Sequence, residues 1–298
     1  MIRSNPTCEA TPLSTTTLAI PCGESTTASE EITTQIVLQL PFAQYLARKE
    51  LSQSVLKVGR KSMKHLKAAW DEEIQTVPTD DMILGSALHT AFLEPEQMPN
   101  RVVKWTGGAR RGKEWEQFKA YNADKYILTE NMHEQLVGMC KSLRQHREVR
   151  AWLSHIEDVE VSGFGMVNGV RMKGRIDALT SDPLIDLKKV ADGDKGLFRK
   201  NALWLGYHIQ AAVYCELFQR DRFILMTVES DPPYDVVPWQ ISDDLMKRGR
   251  QEMHQLLDRV ADCIEKNRWP GRAETIEVLD DPMGVSDQPH YGLKIKGA

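Results

Sequence analysis

Apolar positions along this 298-residue chain follow two rhythms, and the switch between them divides it. Between residues 80 and 95 apolar side chains fall at 84, 87, 88, 91 and 92, the spacing of an amphipathic helix. Asp80 and Asp81 suit its positive N-terminal end, and Pro95 stops it. Gly85 and His89 are four apart and share one face, so a partner can approach closely beside an imidazole. Residues 105–153 read as mostly helical scaffold, with Trp115, Phe118 and Tyr121, then Leu136, Met139, Cys140 and Leu143, at helical spacing. The period then drops to two. Residues 159–167 alternate and end at Asn168-Gly169, the strongest short hairpin signal, and residues 170–179 return as a second strand. After a turn at Ser181-Asp182-Pro183, residues 184–190 form a third, completing an antiparallel meander. A helix from Trp204 to Gln219, an apolar strand at 223–228, an edge strand at 236–239 holding Pro238, and a long helix from Ser242 to Lys266 follow. The fold class expected is mixed α/β, a central sheet with a meander flanked by helices.

Composition adjusts this picture at the ends. Residues 1–36 hold thirteen Ser or Thr and no aromatic residue, too little apolar surface to offset the entropy of ordering, so they read as a flexible tail. The domain is expected over 37–270, and residues 271–298, rich in Gly, Pro and Asp, as a C-terminal loop. The five cysteines are scattered and form no CxxC, which argues against a disulfide framework, a zinc finger or an iron–sulfur site. No apolar run approaches the roughly 18 residues of a membrane span, and no signal sequence is visible, so a cytoplasmic location is expected. The formal net charge is −4, so binding to a polyanion needs a local basic groove. Lys49, Lys57, Arg60, Lys61, Lys64 and Lys67 are candidates, as are Arg110, Arg111 and Lys113 in a Gly-rich turn. Phe198-Arg199-Lys200 reads as a basic loop or a solvated turn.

Candidate chemistry centres on Asp177, Asp186 and Lys188. In Asp186-Leu187-Lys188 the charged residues are two apart and on a strand point to the same side, with Leu187 on the other. The turn at 181–183 brings Asp177 beside Asp186. Two carboxylates from adjacent strands make a hard oxygen site suited to Mg²⁺, and a nearby lysine can orient an attacking water or offset developing charge. D-x-K by itself is a weak signal, since a strand Asp and Lys are more often a surface ion pair.

The segments Gly174-Arg175-Ile176-Asp177-Ala178-Leu179 and Leu184-Ile185-Asp186-Leu187-Lys188 resemble the signature of the RecE-like (exonuclease VIII) and RecB-like PD-(D/E)xK nucleases. Gly85-Ser86-Ala87-Leu88-His89 is similar to their upstream histidine motif, and Tyr207 to Tyr214 to their Gln-x-x-x-Tyr helix. Leu51-Ser52-Gln53-Ser54-Val55-Leu56 resembles the RecE-like entry segment, and the matches run in family order over about 40 to 265. The resemblance implies a restriction-endonuclease-like core and a phage- or prophage-type recombination exonuclease. His89, Asp177, Asp186 and the Leu187 carbonyl would hold Mg²⁺ or Mn²⁺, and Lys188 would orient the water. Gln210, Tyr214 and Tyr207 would place the DNA, Lys173 and Arg175 would contact phosphates, and Glu94 is a weaker candidate. It further implies 5′-to-3′ digestion of double-stranded DNA ends, a ring-like homo-oligomer, a RecT-like annealing partner and a bacterial or phage-infected cytoplasm. No iron–sulfur cluster, nucleotide cofactor or membrane is expected. A RecB-type single-strand or structure-specific nuclease and a catalytically silent DNA-binding accessory protein are the competing readings.

Overall fold

The computed structural model describes residues 34–72, 77–273 and 275–278. Its centre is the meander. β5 (Asp158–Val167) and β6 (Val170–Leu179) pair antiparallel in constant register from Val167↔Val170 back to Asp158↔Leu179, as a two-residue turn at Asn168-Gly169 dictates. β7 (Leu184–Val190) bridges β6 only at Ala178↔Ile185 and then runs parallel to β8 (Phe223–Glu229) over its whole length. A parallel pair needs a crossover, supplied here by α9 (Lys195–Trp204) and α10 (Tyr207–Phe218).

One edge of the sheet is β1 (Gln35–Val37), paired with β5, and the other is β9 (Val236–Gln240), whose Pro238 sits on that edge as expected. A short β2 (Leu51–Ser52) adds parallel to β6. The described chain thus enters the sheet at Gln35, two residues inside the segment expected as tail. The remainder of that tail, residues 1–33, lies outside the described residues, as does the expected C-terminal loop from 279 onward.

Helices cover both faces. α2 (Gln53–Val58), α3 (Met63–Trp70), α10 and α11 (Asp243–Lys266) share a core with Val161, Met172, Ile176, Leu184 and Leu225. On the other side α4 (Asp80–Leu93) and α7 (Glu130–Gln145) pack on Ala178, Ile185, Leu187, Met226 and Val228. Most helices begin on a side chain that satisfies an orphan N–H: Ser52, Ser62, Thr79, Thr129, Asp194 and Ser242 each accept from a backbone amide in the first turn. α1 (Phe42–Ala47), α5 (Met98–Arg101), α8 (Arg147–Leu153) and a small parallel pair, β3 (Val102–Lys104) with β4 (Tyr126–Leu128), complete the periphery.

Three expectations need correction. The helix expected from Trp204 starts at Tyr207 as α10, because Gly206 takes a left-handed conformation (φ 69°) that separates it from a preceding, unexpected helix, α9. Phe198-Arg199-Lys200 lies within α9, and Phe198 is buried on Trp239, rings stacked 4.9 Å apart. In α6 (Gly112–Tyr121) no residue is buried: Trp115 and Phe118 pack against Trp105, while Tyr121 is 87% exposed. Helical spacing there marks an outer lobe instead of the main core.

Candidate active site

Beyond their single bridge β6 and β7 splay, and the opening is filled by carboxylates. Leu187 N–H donates to Asp177 Oδ2 at 2.6 Å, a side chain standing where a sheet would offer a carbonyl. Asp186 is only 2% exposed. Its Oδ1 accepts from Gln210 Nε2 at 2.7 Å, and its Oδ2 lies against the Lys188 ammonium with no partner in hydrogen-bond geometry. Burial raises the Asp186 pKa to about 6, against the pull of Lys188. Burial also disfavours a charged Lys188, but Asp186 and Asp177 outweigh it and hold the ammonium firmly protonated.

His89, on α4, reaches into the same opening. Its Nε2–H donates to the Leu187 carbonyl at 3.0 Å, and its Nδ1 stands 3.4 Å from Asp177 Oδ1 and 3.8 Å from Glu160 Oε1. Burial opposes a charge on this ring, yet the two carboxylates prevail and raise its pKa to about 10. Burial likewise opposes a charged Asp177, and His89 reverses the balance, leaving that carboxyl below its usual range. The imidazolium therefore takes the place a bound cation would occupy.

Glu160 was not among the sequence candidates. The β5–β6 register sets it across from Asp177, between the pairs Val159↔Ala178 and Val161↔Ile176. The signal was present: a two-residue turn at Asn168-Gly169 assigns Asp177 this partner by counting alone. Its backbone is left-handed (φ 53°), a sparsely populated conformation for a non-glycine residue and one that clusters at functional sites. Donor atoms of His89, Glu160 and Asp177 all lie within 4.8 Å of one another.

This donor set suits a hard divalent cation. Carboxylate and carbonyl oxygens dominate, as Mg²⁺ and Mn²⁺ prefer, with one imidazole that Mn²⁺ accepts readily. Asp186 stands outside the three-residue cluster, but its Oδ2, held by the Lys188 ion pair alone, has lone pairs that fit the same role.

The other expected residues separate into two groups. Arg175, Tyr214 and Glu94 line one cleft of about 920 Å³ with His89, Glu160, Asp177, Leu187 and Lys188. Within it Arg175 donates to Glu160 Oε2 at 2.7 Å, Leu40 O at 2.8 Å and Ser162 Oγ at 3.1 Å, so its guanidinium is committed to protein groups. Glu94 is paired with Arg101. Tyr207 lies behind Lys188, whose Nζ is 5.7 Å from its ring centroid. Lys173 does not present itself to a phosphate: its buried ammonium donates to Tyr45 O, Leu46 O and Arg48 O at 3.0, 3.3 and 2.6 Å, tying down the end of α1. Of the Gly-rich turn, Arg110 is held by Asp80, while Arg111 and Lys113 are exposed.

A splayed sheet with Asp177 on one strand, Asp186-Leu187-Lys188 on the next and helices on both faces defines the PD-(D/E)xK class of folds. The chain belongs to the family described as PDDEXK-like domain of unknown function (DUF3799), whose model matches residues 52–282. Among solved structures, the Eubacterium rectale protein named "Putative exonuclease" superposes with a TM-score of 0.58. It is 17% identical and is covered to 97% of its length by 83% of this chain, a likeness in fold. A second, SSO0001, is 16% identical over 68% of this chain and 85% of its own, with a TM-score of 0.26. No curated protein matches the chain. Among the described residues no helix is long and apolar enough to cross a membrane.

Proposed function

We propose that this protein is a metal-dependent DNA nuclease that hydrolyses phosphodiester bonds from double-stranded ends. The observation that carries the reading is the meeting, in one cleft, of His89, Glu160, Asp177 and Lys188, with the buried Asp186 carboxylate paired to that lysine. His89, Glu160, Asp177 and the Leu187 carbonyl would hold Mg²⁺ or Mn²⁺, with Asp186 Oδ2 completing the site. Bound there, the ion supplies charge neutralisation at the phosphoryl oxygens and a more acidic water.

The protein groups divide the remaining work. Lys188, cationic at neutral pH, cannot act as a base, so it faces the phosphate as a fixed positive charge and orients the water through hydrogen bonds. Asp186 Oδ2 would serve as a ligand; as the water's oxygen attacks phosphorus and the P–O3′ bond breaks, the water's proton would pass to bulk solvent and the leaving O3′ would take one up from it. Gln210 holds Asp186 Oδ1 and thereby fixes which oxygen faces the reaction. Arg175 holds Glu160, so it contributes through a ligand while making no phosphate contact of its own. The resemblance to RecE-like enzymes supports 5′-to-3′ polarity, release of mononucleotides, a role in recombination beside a RecT-like annealing protein, a ring-like homo-oligomer and a cytoplasmic setting.

The test is digestion of linear duplex DNA labelled at the 5′ or the 3′ end, with Mg²⁺, Mn²⁺ or EDTA, alongside Asp186→Ala and Lys188→Ala. Early metal-dependent release of the 5′ label as mononucleotide, lost in both variants, is the expected outcome. Binding without cleavage under any divalent metal would turn the reading to a silent DNA-binding accessory protein. Preference for single-stranded or branched substrates would favour a RecB-type nuclease.

A further inference from the structure

One of the basic candidates, Lys57, shares an aromatic neighbour with Lys188. Lys57, on α2, is partly buried, and its Nζ lies 6.0 Å from the centroid of the same Tyr207 ring that Lys188 approaches to 5.7 Å. Its alkyl chain is pinned. A Cβ placed on Gly206 would come within 2.8 Å of Lys57 Cδ, so the left-handed glycine that starts α10 is also the floor on which the lysine rests. Among the described residues no carboxylate lies within ion-pair distance of this ammonium, unlike Lys188, Lys189 or Arg60, each of which has one. The charges it feels most are Lys188, which repels it, and Asp186, which attracts it. Asp186 and Asp177 balance Lys188, so the ammonium left without an ion-pair partner among the described residues is that of Lys57. Such an arrangement is costly unless an anion completes it.

We propose that Lys57 is a phosphate-binding residue, gripping a phosphodiester of the DNA strand adjacent to the one that Lys188 faces. The proposal rests on the nuclease reading and extends it by one positioning contact. Burial and Lys188 lower the Lys57 pKa to about 8, the direction expected of a cation awaiting its counter-charge. The two ammonium groups stand 6.0 and 5.7 Å from the Tyr207 ring centroid, close enough together to meet neighbouring phosphates of one strand. A lysine held by its stem against glycine and aromatic surface loses little conformational freedom when the anion arrives.

The experiment measures kcat/KM on linear duplex DNA across a series of salt concentrations for the full chain, Lys57→Met and Lys57→Arg, with melting temperatures recorded for each. Every phosphate neutralised contributes roughly −0.7 to −0.9 to the slope of log affinity against log salt. The expectation for Lys57→Met is a KM raised about 10-fold and a salt slope shallower by about one. Lys57→Arg should keep the parent slope. Neutral methylphosphonate linkages, introduced singly near the cleaved bond, should slow the parent enzyme at one position to which Lys57→Met is indifferent. A Lys57→Met protein that folds, cleaves, and retains both the parent slope and the parent sensitivity at every linkage overturns the proposal while leaving the nuclease reading intact. A parent protein that neither binds nor cleaves DNA removes the nuclease reading, and this proposal with it.

Discussion

Two glycines in helix interiors make a matched experiment. Replacing glycine by alanine inside a helix ordinarily stabilises a protein by about 0.5–1 kcal/mol, because the unfolded chain loses freedom. At Gly85 in α4 an added Cβ meets nothing within 4 Å, since the residue faces the open cleft beside His89. Gly85→Ala should therefore gain roughly the full 1 kcal/mol. At Gly249 in α11 the same atom would lie 2.2 Å from the His208 carbonyl oxygen and 2.7 Å from its carbon. Relieving that clash means moving α11 off α10 by about an ångström, an overpacking cost on the order of 3 kcal/mol that outweighs the helix gain. The two variants should differ by about 3 kcal/mol, or roughly 6–12 °C in Tm for a domain of this size, with the parent between them. Function should run differently. Gly85→Ala puts a methyl group where the proposed DNA strand must pass, so its KM should rise although the protein is more stable. Thermal denaturation beside duplex-digestion kinetics decides it. A Gly249→Ala protein as stable as the parent would refute the α10–α11 contact, and a Gly85→Ala protein with unaltered kinetics would refute the assignment of the cleft to DNA.

Four further outcomes follow from the site. Glu160→Gln removes one negative donor from the cluster, so Mn²⁺ affinity measured by calorimetry should fall at least 10-fold; unchanged affinity would exclude Glu160 as a ligand. His89, with its pKa raised to about 10, must surrender a proton to a metal, so Mn²⁺ binding at neutral pH should release about one proton and tighten as pH rises toward 10. Calorimetry in buffers of different ionisation enthalpy reads this directly. In the metal-free protein the same raised pKa gives stability that is complete below the ordinary histidine value and lost as pH climbs through about 10. Gln210→Leu leaves Asp186 Oδ1 buried without its donor, and denaturant titration should show a loss of about 1–3 kcal/mol; a neutral substitution would mean the amide does not hold Asp186.

The meander was legible almost to the residue, because period-two alternation and an Asn-Gly turn are local signals that fix register together. The same local logic placed Asp177, Asp186 and Lys188 on neighbouring strands. Residues whose roles depend on distant chain were not legible. Lys173 resembles a phosphate ligand until Tyr45, Leu46 and Arg48, more than a hundred positions earlier, are seen to consume its protons. The division of α9 from α10 turned on whether Gly206 would adopt positive φ, which a helix-former's neighbourhood does not reveal. Glu160 is the instructive omission. Its segment alternates as a strand and the Asn-Gly turn sets it opposite Asp177, but no local motif marks its carboxylate as a site residue.

Lys173, Arg175 and Asp177 alternate along β6 and so share one side of it. The first anchors the end of α1, the second holds Leu40 and Glu160, and the third meets His89 and Leu187. One strand thus joins the segment from Leu40 to Arg48 to the proposed cation site like beads on a rod. Proteases provide a readout of this coupling. If a divalent ion tightens Glu160 and Asp177, it should also slow cleavage within residues 40–48, and a nick there should loosen the ion in return. The leading edge of the domain would then report, from outside, whether its centre is loaded.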